Sequence, residues 1–116
     1  MAPISTAMKI ATWNVNSIKA RLPTVLDVLK EIDCDVLCLQ EIKCETDNFP
    51  YLEIEDLGYN CAVHGQKSYS GVALLSRYPL EDIVTGLPGD ESDDQARYVE
   101  ALVLAERPVR VGGLYL

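Results

Sequence analysis

Apolar and polar residues near the start of the chain first alternate, as in a β-strand, and then recur with the period of a helix. The alternation covers residues 8–15 and leaves two asparagines, Asn14 and Asn16, where this first strand ends. Because proline fits only the first turn of a helix, Pro23 predicts that the helix begins near Leu22. The apolar residues with the i, i+3, i+4, i+7 spacing of an amphipathic helix are Leu22, Val25, Leu26, Leu29 and Ile32.

A second strand is predicted from the apolar run 36–39, which is typical of a strand buried on both faces. Glu41 comes where this strand ends. Strand, helix and strand together predict a βαβ crossover, whose parallel strands end at the same edge of the sheet. We therefore expect Asn14, Asn16 and Glu41 to lie together at that edge, where ligands bind in α/β folds. The residues alone leave a simpler interpretation open, in which Glu41 only reaches solvent and the asparagines only form turns.

The middle of the chain predicts short elements joined by polar loops. Residues 49–56 fit one or two helical turns closed by Gly58. The segments 59–64 and 71–77 predict an antiparallel hairpin. Its loop, residues 65–70, holds a cation, an amide and an aromatic ring, which suits contact with a phosphate backbone. Polar residues are also common in any hairpin loop, so both interpretations stay open here.

The C-terminal part of the chain begins with a long irregular stretch at residues 78–96. This stretch contains an acidic run, residues 90–94, which is typical of a solvated loop tip. Residues 98–105 and 109–116 then predict a further pair of strands that turn at residues 106–108.

Together these elements predict an α/β (α+β) fold, in which a mixed β-sheet of about six strands is flanked by helices. A central strand that is apolar on both faces needs both faces of its sheet covered. The predicted helices cover one face, and nothing else in the chain is predicted to cover the other. We therefore expect residues 8–116 to be part of a larger domain, preceded by a loose N-terminus at residues 1–7.

The composition is that of an ordinary globular protein, with 116 residues of which 48% are hydrophobic and 24% charged. No apolar run approaches the roughly 20 residues that span a bilayer, and the first residues lack the pattern of a signal peptide. We therefore expect a cytoplasmic protein with no membrane partner. A net charge of −8 argues against broad electrostatic binding to nucleic acid. It leaves room for a phosphate site bridged by Mg²⁺, because carboxylates hold that ion.

The four cysteines do not form a recognisable metal or disulfide pattern. Cys34 and Cys38 are predicted to be small buried hydrophobes. Cys44, Cys61 and His64 lack the usual spacing of zinc ligands. Disulfides are not expected in a reducing cytoplasm.

Five motifs, in order and at suitable separations, resemble the N-terminal part of the exonuclease III family. This family is the exodeoxyribonuclease and apurinic/apyrimidinic endonuclease branch of the endonuclease/exonuclease/phosphatase superfamily. The motifs are IATWNVN at 10–16, LQEIK at 39–43, GYNCAVHGQK at 58–67, GVALL at 71–75 and GLY at 113–115. The resemblance implies a four-layer αββα sandwich, of which residues 8–116 would be one half, the N-terminal half of the domain.

The resemblance also implies an activity and a set of site residues. The activity is Mg²⁺- or Mn²⁺-dependent hydrolysis of DNA phosphodiesters, as a 3′-5′ exonuclease and an abasic-site endonuclease in base-excision repair. Glu41 would be the metal-binding carboxylate, with Asn14 in or next to the metal shell. Tyr115 would be catalytic, through a hydroxyl that contacts the scissile phosphate. The residues implied to lie near double-stranded DNA, especially abasic-site DNA, are Asn16, Lys43, Lys67 and Arg97.

Two later motifs of the family, a G-D-x-N segment and an S-D-H segment, are absent from this sequence. The first of them supplies the groups that act on the attacking water. We therefore expect this chain to be inactive alone, to lack the C-terminal half of its domain, and to self-associate through its uncovered sheet face. Two other interpretations stay open: a phosphatase of the same superfamily that acts on a small phosphoester, and a non-catalytic half-domain or interaction module.

Overall fold

The protein is described by a computed structural model that covers residues 8–86 and 96–115. Within these residues the strands form two sheets. A short 3-10 turn, Thr46–Asn48, precedes the second helix. The elements in chain order are β1 (Ile10–Asn14), α1 (Leu22–Glu31), β2 (Val36–Gln40), α2 (Tyr51–Glu55), β3 (Asn60–His64), β4 (Val72–Ser76), β5 (Leu80–Thr85), β6 (Tyr98–Val103) and β7 (Val109–Leu114).

Sheet A is a mixed sheet with the strand order β1-β2-β4-β3. Its first two strands are parallel, and α1 joins them, so the predicted βαβ unit is confirmed. The predicted antiparallel hairpin is confirmed as well, because β3 pairs with β4 in antiparallel register. Both helices pack on one face of sheet A, where Val25 and Leu29 of α1 and Ile54 of α2 contact the buried side chains of β2 and β4.

Sheet B is antiparallel, with the order β5-β6-β7, and it covers the other face of sheet A. The prediction of a single sheet with one uncovered face is therefore wrong. The chain covers that face itself, because alternate residues of β6 and β7 are apolar and turn toward sheet A. The core between the two sheets includes Val36, Cys38, Leu74, Val99, Ala101, Val103 and Val111.

Strand β5 lies in the stretch that was predicted to be irregular. Its polarity pattern is broken by a bulge, because the register with β6 shifts between Glu81 and Val84, and Asp82 adopts a φ of 51°. An interrupted alternation gives no clear strand signal in the sequence. The acidic run 90–94 and the N-terminal residues 1–7 lie outside the described residues.

The described residues thus form three layers, helices, sheet A and sheet B, and the predicted α+β class is confirmed. Burial raises the pKa of the Cys38 thiol to about 11 and that of Cys61 to about 12, as expected for cysteines that act as small apolar residues. In the described ranges, neither helix has the length and apolar character needed to cross a membrane.

Candidate active site

Three strand ends meet at one edge of the structure. Asn14 is the last residue of β1, Glu41 follows β2 directly, and Tyr115 follows β7 directly. The loops beyond β1 and β2 stay hydrogen-bonded to each other, since the Ser17 backbone N–H donates to the Glu41 carbonyl at 2.8 Å. The edge predicted from the βαβ crossover is therefore present, and β7 of the second sheet reaches it too.

The Glu41 carboxylate is held by two donors from different sheets. The side-chain amide of Asn14 donates to it, and the Tyr115 hydroxyl donates to its Oε1 at 3.0 Å. Hydrogen bonds that favour the charged form of a carboxyl group lower its pKa. The bonds from Asn14 and Tyr115 accordingly hold the pKa of Glu41 below its ordinary value. The site thus presents an ionised, partly exposed carboxylate at neutral pH.

The backbone on both sides of this carboxylate adopts the left-handed conformation. The φ angles are 47° at Asn16, 86° at Ser17, 53° at Glu41 and 54° at Lys43. Such angles are uncommon for residues with a side chain, and they cluster at binding and catalytic sites. Neighbouring segments hold the strained turn, because the Lys43 backbone N–H donates to the Ser70 carbonyl at 3.0 Å.

Lys43 and Asn16 meet beside the carboxylate. The Lys43 ammonium group donates to the Asn16 side-chain oxygen at 2.6 Å. The Asn16 backbone N–H in turn donates to the Asn14 side-chain oxygen at 3.1 Å. The structure therefore brings Asn14, Asn16, Glu41 and Lys43 into one hydrogen-bonded group.

Arg97 lies under the ring of Tyr115. Its guanidinium carbon is 5.9 Å from the ring centroid, and its carbonyl accepts the Tyr115 backbone N–H at 2.8 Å. The hydrogen bond to Glu41 raises the pKa of Tyr115, whereas the charge of Arg97 acts in the opposite direction. Arg97 thus belongs to the same cluster as the tyrosine.

Lys67 is exposed in the hairpin loop and is not bonded to this group of residues. His64 is also apart from it, because its Nδ1 lies 3.2 Å from the Tyr98 carbonyl. The loop itself is fixed close by. The Gly65 backbone N–H donates to the Thr46 hydroxyl at 2.8 Å, and the Gln66 backbone N–H donates to the Cys44 carbonyl at 2.9 Å.

The oxygen donors at the edge fit a hard divalent cation of the Mg²⁺ type. Glu41 supplies an ionised carboxylate with unused lone pairs, and Asn14 places an amide against it. Among the described residues no three side chains of the His, Cys, Asp or Glu type come together. A single carboxylate is consistent with Mg²⁺, because this ion is usually held by one or two carboxylates plus waters and substrate phosphates.

Gln66 is the amide of the hairpin loop, for which the sequence offered only a contact with a phosphate backbone or the ordinary polarity of a loop. Its side-chain oxygen accepts the Ala96 backbone N–H at 2.8 Å, across 30 residues of chain. A contact at that separation leaves no periodic signal in the sequence. A buried backbone N–H needs an acceptor, and this would have pointed to a partner such as Gln66. The burial of Ala96, however, is known only from the structure.

The sequence matches the model of the Endonuclease/Exonuclease/phosphatase family over residues 11–113. It is 39% identical to the exodeoxyribonuclease III of Haemophilus influenzae over 94 residues, which cover 81% of this chain and 35% of that protein. It is 38% identical to an exodeoxyribonuclease of Bacillus subtilis over 96 residues, with 79% and 37% covered. The chain thus spans little more than about a third of these relatives.

Solved structures resemble the fold closely. A 3′ phosphatase, NExo, from Neisseria bound to a product DNA hairpin superposes with a TM-score of 0.86 at 44% identity, over 94% of this chain and 41% of that one. An AP endonuclease from Archaeoglobus fulgidus superposes with a TM-score of 0.85 at 38% identity, again over 94% and 41%.

Proposed function

The chain belongs to the Endonuclease/Exonuclease/phosphatase family, and from that premise we propose that it is part of a divalent-metal-dependent DNA phosphodiester hydrolase of the exonuclease III type. The observation that carries this proposal is the hydrogen bond between Tyr115 and Glu41 at the shared edge of the two sheets. It pairs an ionised carboxylate, which suits a hard cation, with a neutral hydroxyl, which suits a phosphate oxygen as hydrogen-bond donor. The resemblance of the five motifs to the exonuclease III family is confirmed by the relatives described above.

Glu41 would hold Mg²⁺ or Mn²⁺, and Asn14 would orient the carboxylate for that ion. The support is chemical, since an ionised carboxylate fixed by an amide donor is a suitable ligand for a hard cation. When bound, such an ion supplies Lewis-acid stabilisation of negative charge on phosphoryl and leaving-group oxygens.

Tyr115 would donate its hydroxyl proton in a hydrogen bond to a phosphate oxygen. Its contact with Glu41 raises the pKa of the tyrosine, so that the hydroxyl stays protonated at neutral pH. A donor placed where negative charge develops stabilises the transition state more than the ground state. The guanidinium group of Arg97 lies against the ring and adds positive charge beside it.

DNA is the substrate class that the surrounding residues favour. Asn16, Lys43, Lys67 and Arg97 would lie along the phosphate backbone, three of them as cations. These contacts, together with the metal, would offset the net charge of −8, which otherwise opposes DNA binding. Two relatives that carry exonuclease or AP endonuclease names support this substrate. The proposed role is base-excision repair, and the proposed compartment is the cytoplasm. The proposed substrate is double-stranded DNA, especially abasic-site DNA.

The 116-residue chain alone would bind the metal only weakly and would not cleave DNA. Its sequence lacks the G-D-x-N and S-D-H segments of the family. Without groups that orient and deprotonate a water, the positioning contribution to catalysis is lost.

A second candidate activity is removal of a phosphate from the 3′ end of DNA. The specific observation in its favour is the 44% identity to the Neisseria protein that is described as a 3′ phosphatase. Glu41 and Tyr115 would have the same roles in both reactions. The substrate would be a phosphomonoester at the 3′ end and not a phosphodiester between two nucleotides. A longer protein that contains this chain can be tested on DNA with a 3′ phosphate, on abasic-site DNA and on a free phosphoester.

The metal part of the proposal can be tested on this chain directly. Tb³⁺ prefers oxygen ligands and emits when a nearby tyrosine transfers energy to it. We expect Tyr115-sensitised emission that Mg²⁺ reduces by competition. Glu41→Gln should weaken Tb³⁺ binding by about tenfold or more, whereas the exposed control Glu106→Gln should not change it. Equal binding by the Glu41→Gln protein would contradict the assignment of Glu41.

A further inference from the structure

The two halves of the site come from different sheets and are joined through backbone peptides. The Ile42 N–H, next to Glu41, donates to the Gly71 carbonyl at 3.2 Å. The Gly71 N–H donates to the Ala96 carbonyl at 2.8 Å. One residue further along, the Arg97 carbonyl accepts the Tyr115 N–H. The place of Ala96 therefore affects how Tyr115 sits relative to Glu41.

Gln66 is the side chain that holds Ala96 from the other direction. Its amide oxygen accepts the Ala96 N–H at 2.8 Å, while its own backbone N–H is fixed to the Cys44 carbonyl at 2.9 Å. Ala96 is only 2% exposed, so its N–H depends on a protein acceptor. Ala96 is thus held through both of its backbone groups, its N–H by Gln66 and its carbonyl by Gly71.

The loop that carries Gln66 has little freedom to move with its partner. A side-chain atom at Gly65 would meet the backbone of Cys44 and Thr46, with the Glu45 carbonyl carbon at 2.6 Å. The Gly65 backbone N–H is also hydrogen-bonded to the Thr46 hydroxyl, and the Gln66 backbone N–H to the Cys44 carbonyl. Gln66 therefore extends from a fixed base. If its bond to Ala96 is lost, we expect the segment of Ala96 and Arg97 to move rather than the loop.

We propose that Gln66 is a positioning residue for the Tyr115–Glu41 pair. Its amide oxygen fixes the Ala96–Arg97 segment, which carries both the backbone acceptor of Tyr115 and the guanidinium group under its ring. The inference deepens the proposed function, since the roles of Tyr115 and Glu41 rest on that proposal. The geometric part, that Gln66 determines the place of the Tyr115 ring, can be tested separately from any activity.

Two substitutions separate positioning from general stability. Gln66→Met keeps the length of the side chain and removes the acceptor, whereas Gln66→Glu keeps an acceptor oxygen and should behave like the wild type. In NMR spectra of the 116-residue chain, we expect Gln66→Met to speed amide exchange of Ala96 by about tenfold or more and to remove the contacts between the Arg97 side chain and the Tyr115 ring. The amides of Leu74 and Leu75, which are 0% exposed, should keep their protection.

Tb³⁺ luminescence gives the second measurement. With Gln66→Met, the Tb³⁺ affinity should stay near that of the wild type, because Glu41 is intact, while the emission sensitised by Tyr115 falls. The proposal is wrong if the Arg97–Tyr115 contacts persist in Gln66→Met, if Gln66→Glu loses them equally, or if all core amides lose protection together. Failure of the wild-type chain to bind Tb³⁺ counts against the metal proposal alone, and the NMR comparison still decides the role of Gln66.

Discussion

Tyr115 donates a hydrogen bond of 3.0 Å to Glu41 across 74 residues of chain, and so ties the end of the second sheet to the end of the first. Each residue follows its strand directly, so neither depends on a long loop for its position. The bond also changes both ionisations, because it helps to lower the pKa of Glu41 and raises the pKa of Tyr115. The pair is therefore a carboxylate and a neutral hydroxyl over a wide range of pH.

The first prediction concerns the titration of Glu41. Tyr115→Phe removes one of its two donors, so the pKa of Glu41 should rise toward the ordinary value, which is 4.5 for a glutamate. In the folded protein the pKa of Glu41 is lower than in the unfolded chain. The hydrogen bonds to its carboxylate therefore stabilise the fold fully at pH values above 4.5, the ordinary pKa, and this stabilisation is lost as the pH falls through the lowered pKa. Carbon-13 NMR of the side-chain carboxyl groups measures the titration of Glu41 in the wild type and in Tyr115→Phe. An unchanged Glu41 titration would contradict the contact.

The second prediction concerns cleavage. In a longer protein that contains this chain together with a G-D-x-N segment, Glu41→Gln should lower DNA hydrolysis by about two orders of magnitude or more at saturating Mg²⁺. The amide keeps the shape of the side chain and removes the charge that holds a hard cation. Activity within a few-fold of the wild type, in a protein that still unfolds at the same temperature, would be the contrary result.

The third prediction concerns the base of the hairpin loop. Gly65→Ala would place a side-chain atom 2.6 Å from the Glu45 carbonyl carbon, and backbone cannot easily move aside. We expect a loss of about 1–3 kcal/mol in the free energy of unfolding, as for other overpacking substitutions. Gly58→Ala is the matched control. Its added atom meets nothing within 4 Å, although a φ of +90° makes about 1–2 kcal/mol of backbone strain expected there.

Urea unfolding measures the loss of stability in both variants, and amide exchange separates the two causes. Because Gly65 adjoins Gln66, its substitution should also displace Ala96, which Gln66 holds. Gly58 closes α2 and lies away from that contact. We therefore expect faster Ala96 amide exchange in Gly65→Ala only. The same exchange in both variants would show that the loop is not fixed by its packing on the backbone of residues 44–46.

The convergence of Asn14 and Glu41 follows from sequence alone, because helical and strand periods identify a βαβ unit and parallel strands end at one edge. Tyr115 reaches that edge from a second sheet, and only the resemblance to a family indicated it. Sheet B as a cover for sheet A was missed because its first strand contains the bulge at Asp82, which interrupts the alternation. Without β5, the remaining strands predict a single mixed sheet.

The contacts that set the fine geometry of the site were beyond prediction from sequence. Gln66 and Ala96 are 30 residues apart, and neither belongs to a periodic pattern. The stacking of Arg97 on Tyr115 depends on how β6 and β7 pair at their ends. Polarity patterns report which face of an element is buried, but they do not report which side chains meet where several loops converge.

The last prediction concerns the 116-residue chain in solution. Self-association through an uncovered sheet face no longer has support, because sheet B covers that face. The described sheets keep four edge strands, β1 and β3 in sheet A and β5 and β7 in sheet B. Among them, β1 and β7 carry the exposed apolar side chains Ile10 and Val109, which are 51% and 39% exposed. Free strand edges pair with other chains. We therefore propose that the chain associates weakly through these edges.

Charge makes this association sensitive to salt. At a net charge of −8 the copies repel one another, and salt screens that repulsion, with a Debye length of about 10 Å at 0.1 M. Light scattering should therefore show a mass that rises with protein and salt concentration, and a lysine at either edge, Ile10→Lys or Val109→Lys, should reduce the rise. The same samples should leave abasic-site DNA intact in Mg²⁺. A monomer at every salt concentration would contradict the association, and measurable nicking would contradict the need for the missing motifs.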